Sequence, residues 1–411
     1  MDLPSVRVMN AQKPAAGLDL LGNPPDFSLV LGGPLFQLLC RAHLANDALQ
    51  LLGQRVIVIV LVTWLPLVVL TALEGHLVGS GARLALLMDA EVHSRLLVAL
   101  PLLVIAEMVV HRRMRLLLRQ FLERQLIAEK ALPQFEAAIA AAFRLRNSVF
   151  AELLLIALVY GVGILIVWHH FLAFHSATWY ATPTADGSNF SLAGIWYGFV
   201  SLPVFQFLLF RWYFRLLVWS RFLWQVSRIE LCLMPTHPDH LGGLGFLSNT
   251  VYAFSMLAVA HGALLAGLLA NRIFFLGATL SQFKAEIAVL LGFLLCAIFF
   301  PLLVFMPQLA AAKRRGLREY GALAGRYVRE FDTKWLRGGA PLAEPLVGSS
   351  DIQSLADLAN SYEVLRMMRI VPLSKDAVIQ LAVWTLLPLA PLLLTLMPLE
   401  EILKKLFSIV L

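Results

Sequence analysis

Five ionisable residues fall inside apolar stretches of the chain, where a charge is costly and marks either a packing contact or a functional site, and four of them are acids or arginines. They are Glu107, Glu152, Arg211 and Arg215. Arg211 and Arg215 stand four residues apart, so a helix presents both guanidiniums from one face, and two carboxylates at the same depth could neutralise them. Two readings follow: salt bridges that fix helix packing, with arginine stems snorkelling towards headgroups, or a charged pathway. His261 lies in the middle of another apolar stretch, in Ala260-His261-Gly262-Ala263. Its small neighbours let a second helix approach and hydrogen-bond the imidazole, and a pKa near neutrality also suits proton coupling.

The densest polar group is the run Pro235-Thr-His-Pro-Asp-His-Leu-Gly-Gly-Leu-Gly-Phe246. His237, Asp239 and His240 could ligate a divalent metal, while Gly242, Gly243 and Gly245 could aim backbone N–H groups at an anion. A metal site of known type needs a further ligand, and the chain has no HExxH, CxxC or Walker pattern. The same residues also make a rigid turn, in which Asp239 bonds local backbone and the glycines let the chain reverse sharply. No other cofactor is evident. Cys40, Cys232 and Cys296 are too scattered for a disulfide framework or a zinc cluster. His169, His170 and His175 gather with Asp186 near Trp168 and Trp179, which reads as an interfacial belt, with transition-metal binding as the alternative.

Membrane helices must position these residues. Of 411 residues, 59% are hydrophobic and 14% charged, and the mean hydropathy is +0.77. Soluble chains carry roughly 45–50% apolar and about 25% charged residues. The composition therefore excludes a soluble enzyme, a disordered chain and, despite the net charge of +7, a nucleic-acid-binding module. A helix crosses the hydrocarbon core with about 20 apolar residues. Seven stretches qualify: 56–73, 96–110, 149–168, 192–218, 251–270, 287–306 and 377–397. The second is short and holds Glu107, and Pro388, Pro391 and Pro398 punctuate the seventh, so six spans remain if one segment is re-entrant. Lipid-exposed backbone must close its hydrogen bonds within each segment, so the fold class is all-α, a polytopic membrane bundle.

The segments 1–55, 111–148, 211–250 and 307–376 hold 27 of the 33 Lys and Arg residues. Basic loops stay in the cytoplasm, which places the N-terminus there and, with seven spans, the C-terminus outside. The opening residues lack the basic start and apolar core of a signal peptide. Four parts result: an N-terminal cytoplasmic segment 1–55, a bundle 56–306 with a cytoplasmic helical hairpin at 111–148, a cytoplasmic helical region 307–376, and a last span with an amphipathic helix at 377–411. In the hairpin, Leu117, Leu118 and Phe121, then Phe135, Ile139 and Ala142, recur at helical spacing. Leu317, Tyr320, Ala324, Val328, Phe331 and Trp335 form one side of a helix that continues the sixth span. Ser350 and Gln353 have capping-box spacing for a helix over 352–368. Gly194 and Gly198 are spaced for close helix association. The implied partners are the lipid bilayer and, through the cytoplasmic helices, a protein or a second copy of the chain. Nucleic acid is not among them.

Three segments, Pro235 to Phe246, Asp351-Ile-Gln-Ser-Leu-Ala-Asp-Leu358 and Leu386-Leu-Pro-Leu-Ala-Pro-Leu-Leu-Leu-Thr395, resemble a group of uncharacterised bacterial multi-pass membrane proteins from Ala42 onward. The resemblance implies the bacterial inner membrane and carries no activity with it. Intramembrane charge favours a transport or channel-like protein. A sensor, scaffold or accessory subunit docked through the cytoplasmic helices is the alternative, followed by a metal-dependent membrane enzyme built on the His-Pro-Asp-His loop.

Overall fold

The computed structural model describes residues 27–41, 51–78, 84–163, 178–184, 187–341 and 344–395. A short helix α1 (Pro34–Arg41) precedes α2 (Leu52–Leu73), α3 (Ala90–Glu123), α4 (Leu132–Arg146) and α5 (Val149–Leu158). An antiparallel hairpin, β1 (Ala181–Thr184) with β2 (Gly187–Phe190), pairs Ala181 with Phe190. Then come α6 (Leu192–Val226), α7 (Ser255–Leu276), α8 (Lys284–Phe299), α9 (Met306–Phe331), α10 (Ser350–Arg366) and α11 (Lys375–Leu386). Among the described residues, six helical stretches are long and apolar enough to cross a bilayer: α2, α3, α6, α7, Leu280–Leu336 around α8 and α9, and Lys375–Thr395 around α11. The chain is an all-α integral membrane protein in contact with lipid. The expected span 149–168 is described only to residue 163, and His169, His170, His175, Asp186 and the C-terminal amphipathic helix lie outside the described residues.

Helix α2 has the inverted pattern of a lipid-facing helix. Ile57, Leu61, Leu65, Val69 and Leu73 form an exposed stripe at four-residue spacing, while Arg55, Thr63, Leu67 and Thr71 are buried on the other side. In lipid such exposure carries no penalty, but every polar atom must be satisfied. Thr63 and Thr71 donate to the carbonyls of Ile59 (2.8 Å) and Leu67 (2.6 Å). Pro66 has no N–H to give the Val62 carbonyl, and Trp196 Nε1 of α6 donates to it instead, at 3.2 Å.

The second span is longer than the stretch 96–110. At 34 residues α3 runs roughly 50 Å, well beyond the hydrocarbon core. Its first turns run through charges that are paired. Asp89 caps the helix by accepting from Val92 N at 3.1 Å, Glu91 pairs with Arg95 one turn on, and Arg95 donates to the Tyr197 hydroxyl. At its far end Met114, Leu117, Leu118 and Phe121 are buried with Phe135, Ile139 and Ala142 of α4, as the hairpin pattern requires. Phe121 meets Phe246 edge-on with ring centroids 5.0 Å apart.

Helix α7 packs between α3 and the last span, and its glycines set the spacing. A Cβ on Gly267 would lie 2.9 Å from the Ala90 carbonyl oxygen of α3, and one on Gly262 would lie 2.1 Å from that of Thr385 in α11. Gly262→Ala is therefore expected to push α11 away at a cost of about 1–3 kcal/mol. Thermal unfolding in detergent checks this, with Gly292→Ala as control, since open space surrounds Gly292. Gly194 and Gly198 differ from expectation. Gly194 lets the Tyr180 carbonyl approach to 2.1 Å of its would-be Cβ, and nothing lies within 4 Å of Gly198. Gly194 alone thus seats the loop before the hairpin, and the two glycines do not form a helix-association pair.

Beyond α8 a 3₁₀-helical stretch at Phe300–Phe305 leads into α9, which pairs with α10. Tyr327 donates to the Asp351 carbonyl at 2.9 Å, and the Asp351 carboxylate accepts from Trp335 Nε1 (2.9 Å) and Lys334 Nζ (2.8 Å). The expected capping box does not form. Ser349, extended after Gly348, accepts from Asp351 N at 3.1 Å, and Gln353 bonds Asp357 instead. After α11 the chain tightens over Leu387–Thr395, where Pro388 and Pro391 remove backbone donors.

Candidate functional site

The segment ahead of α1 folds back into the bundle. Phe27, Leu29 and Val30 are fully buried, and Phe27 stacks with Phe143 and tilts against Phe222. Gly33 has φ +91°, and a Cβ there would come within 3.1 Å of Glu152 Oε1 and 3.2 Å of the Arg146 carbonyl oxygen. That turn directs the N-terminus of α1 at α5, where Leu35 N donates to Glu152 Oε2 at 2.8 Å. Glu152 itself occupies the first turn of α5, which Ser148 caps, so its charge also suits the helix dipole.

The structure brings Glu107, Glu152, Arg211 and Arg215 together, as their shared depth predicts, and adds Arg55 from the first turn of α2. Glu107 is the centre. Its Oε2 lies 2.5 Å from Arg55 Nη2, and its Oε1 lies 2.6 Å from Arg215 Nη2 and 3.8 Å from Arg211 Nη1. Arg211 Nη2 reaches Glu152 Oε1 at 3.6 Å. All five side chains are buried. Arg215 also lies over the Trp212 ring, whose Nε1 donates to the Leu103 carbonyl at 2.9 Å. Three guanidiniums thus face two carboxylates. Arg146, half-buried at the end of α4, adds another positive charge, and burial together with the Arg215 guanidinium pulls it down to about 10.

A cavity of about 640 Å³ borders this cluster. Arg55 and Ile59 of α2, Glu152, Leu153 and Ile156 of α5, and Val204 and Phe207 of α6 line it, and Pro34 and Leu35 close its charged end. Its walls are otherwise apolar apart from the Tyr160 hydroxyl. The size is that of a small-molecule site.

No protein-family model, curated protein or solved structure matches this chain. Function is therefore read from the chemistry of the site itself.

His261 makes the interhelical bond that its small neighbours favour. Its Nδ1 lies 2.7 Å from the Leu257 carbonyl oxygen and its Nε2 2.7 Å from the Tyr213 hydroxyl of α6. With Nδ1–H donating, Nε2 accepts from Tyr213, and both ring nitrogens of a neutral imidazole are satisfied.

The Pro235 to Phe246 run is a knot at the basic end of the bundle. Asp239 Oδ1 accepts from Leu241 N (2.8 Å) and Gly243 N (3.2 Å), and Oδ2 accepts from Gly245 N (2.8 Å). Arg124, at the end of α3, donates to the Gly243 carbonyl at 2.9 Å and lies 3.5 Å from Asp239 Oδ2. Gly242 and Gly243 both have positive φ, and Gly245 leaves no room for a Cβ beside the Asp239 carboxylate. His237 Nδ1 lies 2.9 Å from Asp239 Oδ1, whereas His240 Nδ1 turns to the Val364 carbonyl oxygen at 3.3 Å. The two imidazoles do not converge, and among the described residues no three His, Cys, Asp or Glu side chains gather to hold a metal.

A second buried polar group centres on Asp89. Asp89 accepts from Trp179 Nε1 at 3.0 Å and from Asn271 Nδ2 at 2.8 Å, and Asn271 Oδ1 accepts from Ala90 N at 2.9 Å. It ties α3, α7 and the loop before β1. Its signal in the sequence is the Asp89 N-cap ahead of an apolar helix.

Proposed function

We propose that the protein is a carrier-type transport protein for a membrane-resident solute, reached laterally from the bilayer rather than through an aqueous channel. The apolar cavity between α2, α5 and α6 carries the proposal. Beside it, Glu107 engages Arg55, Arg211 and Arg215, all four leave 2–6% of their surface exposed, and Arg211 reaches Glu152, so the cluster acts as an anchor for four helices and not as the lining of a water path. The basic end, with 27 of 33 Lys and Arg, faces the cytoplasm of a bacterial inner membrane in this proposal. Reconstituted vesicles are expected to pass no ion current above protein-free controls, while a labelled single-chain amphiphile changes leaflet several-fold faster. An ion current, or leaflet exchange at the protein-free rate, would overturn it.

A scaffold role has one observation in its favour. Leu323, Val328 and Ile352 leave exposed apolar surface on the α9–α10 pair, beside the exposed Arg314, Arg315 and Arg318. Crosslinking in intact cells that joins α9 to one defined protein would support it, and loss of α10 contacts without loss of that product would refute it.

A further inference from the structure

We infer that the cavity between α2, α5 and α6 binds an amphiphile with an anionic head group and one apolar chain, the head against Arg55 and the chain along α5 and α6. The inference rests on the carrier reading above and names its ligand. Arg55 and Glu152 lie in the first turns of α2 and α5, at the end of the membrane where head groups reside. From Glu152 to Tyr160 the wall then runs roughly 12 Å towards the membrane interior at 1.5 Å per residue, past Leu153, Ile156 and Val159. One end is charged and the rest is apolar, which is the polarity of an amphiphile.

Charge decides the head. Three guanidiniums of the cluster are set against two carboxylates, with Arg146 close behind, so a cationic head is repelled. Both Glu152 oxygens are already engaged, Oε2 by Leu35 N and Oε1 by Arg211. Arg55 is not fully engaged. Its side chain is 2% exposed, it lines the cavity, and its buried Nε has no hydrogen-bond partner. A buried guanidinium N–H left unpaired is costly, and a carboxylate or phosphate head satisfies it with a charge-assisted bond that a neutral head cannot match.

The full-length protein in phosphatidylcholine nanodiscs is irradiated with palmitic acid carrying a mid-chain diazirine, and separately with the matching fatty alcohol. Labelled peptides are mapped by mass spectrometry. The acid is expected to label the Ile156 and Phe207 regions about tenfold more than the alcohol, corresponding to about 1.4 kcal/mol. Arg55→Gln should bring acid labelling down to the level of the alcohol. Because that variant also removes a partner of Glu107, Val204→Trp provides a second arm: it fills the cavity and leaves every ion pair in place, and both labels should be lost. Equal labelling by acid and alcohol would overturn the anionic head while leaving the lateral cavity reading intact. Acid labelling undiminished by Val204→Trp would place the ligand elsewhere and overturn the site, and no labelling of α5 or α6 by either probe would remove the carrier reading as well.

Discussion

Replacing Glu107 with Gln is expected to destabilise the folded bundle by about 3–5 kcal/mol, the range seen when one partner is removed from a buried ion pair. Glu107 is the common acceptor for Arg55, Arg215 and Arg211. Without its charge three buried guanidiniums would share Glu152 alone, which stands 3.6 Å from Arg211 and is already bonded to Leu35 N. The amide keeps the shape of the side chain, so lost packing does not explain the effect. Thermal and denaturant unfolding in detergent would measure it. The double variant Glu107→Gln, Arg215→Met should be less destabilised than the sum of the single changes, with a coupling of about 1–3 kcal/mol, because it removes one unmatched charge along with the carboxylate. A charge lining a water-filled pathway behaves differently. There Glu107→Gln would alter flux and leave stability within about 0.5 kcal/mol of the wild type, as for a surface substitution.

The convergence of Glu107, Glu152, Arg211 and Arg215 was legible because two quantities in the sequence predict it. The distribution of Lys and Arg orients the spans, and counting residues from each span's end gives depth. Arg55 was not legible for a related reason. A hydropathy stretch is bounded by the nearest charge, so a charged residue that turns inward from the first turn of α2 is assigned to the preceding segment. The same rule shortened the second span, which in fact passes Arg95 and Glu91 because they neutralise each other. The packing of residues 27–33 against Phe143, Phe222 and Glu152 is purely tertiary and leaves no periodicity to read. Turn chemistry was clearer. Pro, Asp and Gly in the 235–246 run announce a reversal, but Arg124 and Arg369, which tie it to α3 and to the chain before α11, are distant in sequence. The site's apolar half, the cavity, depends on the gap left between three helices, which spacing within any one of them does not encode.

The knot at residues 235–246 yields the second large effect. Asp239→Ala removes the acceptor for the N–H groups of Leu241, Gly243 and Gly245 at once. Leaving buried donors unpaired costs about 1–3 kcal/mol each, and water relieves part of this in a half-buried loop, so a total loss of about 2–4 kcal/mol is expected. Asp239→Asn should restore part of it, since one amide oxygen still accepts while the NH₂ group opposes an N–H. Protease sensitivity gives a local readout. Arg369 N donates to the His240 carbonyl at 2.7 Å and Ser248 donates to the Pro372 carbonyl at 3.2 Å, so loosening the knot should expose the segment between α10 and α11 to cleavage first. The pH dependence separates charge from shape. Burial acts to raise the Asp239 pKa, but the N–H groups of Leu241, Gly245 and Gly243, with His237, outweigh it and hold the carboxyl below its ordinary value. A carboxylate depressed by folding stabilises the native state above its unfolded pKa of about 3.9 and loses that contribution as pH falls through the folded value. The stability gap between wild type and Asp239→Ala should therefore stay constant from neutral pH down to about 5 and narrow only in stronger acid.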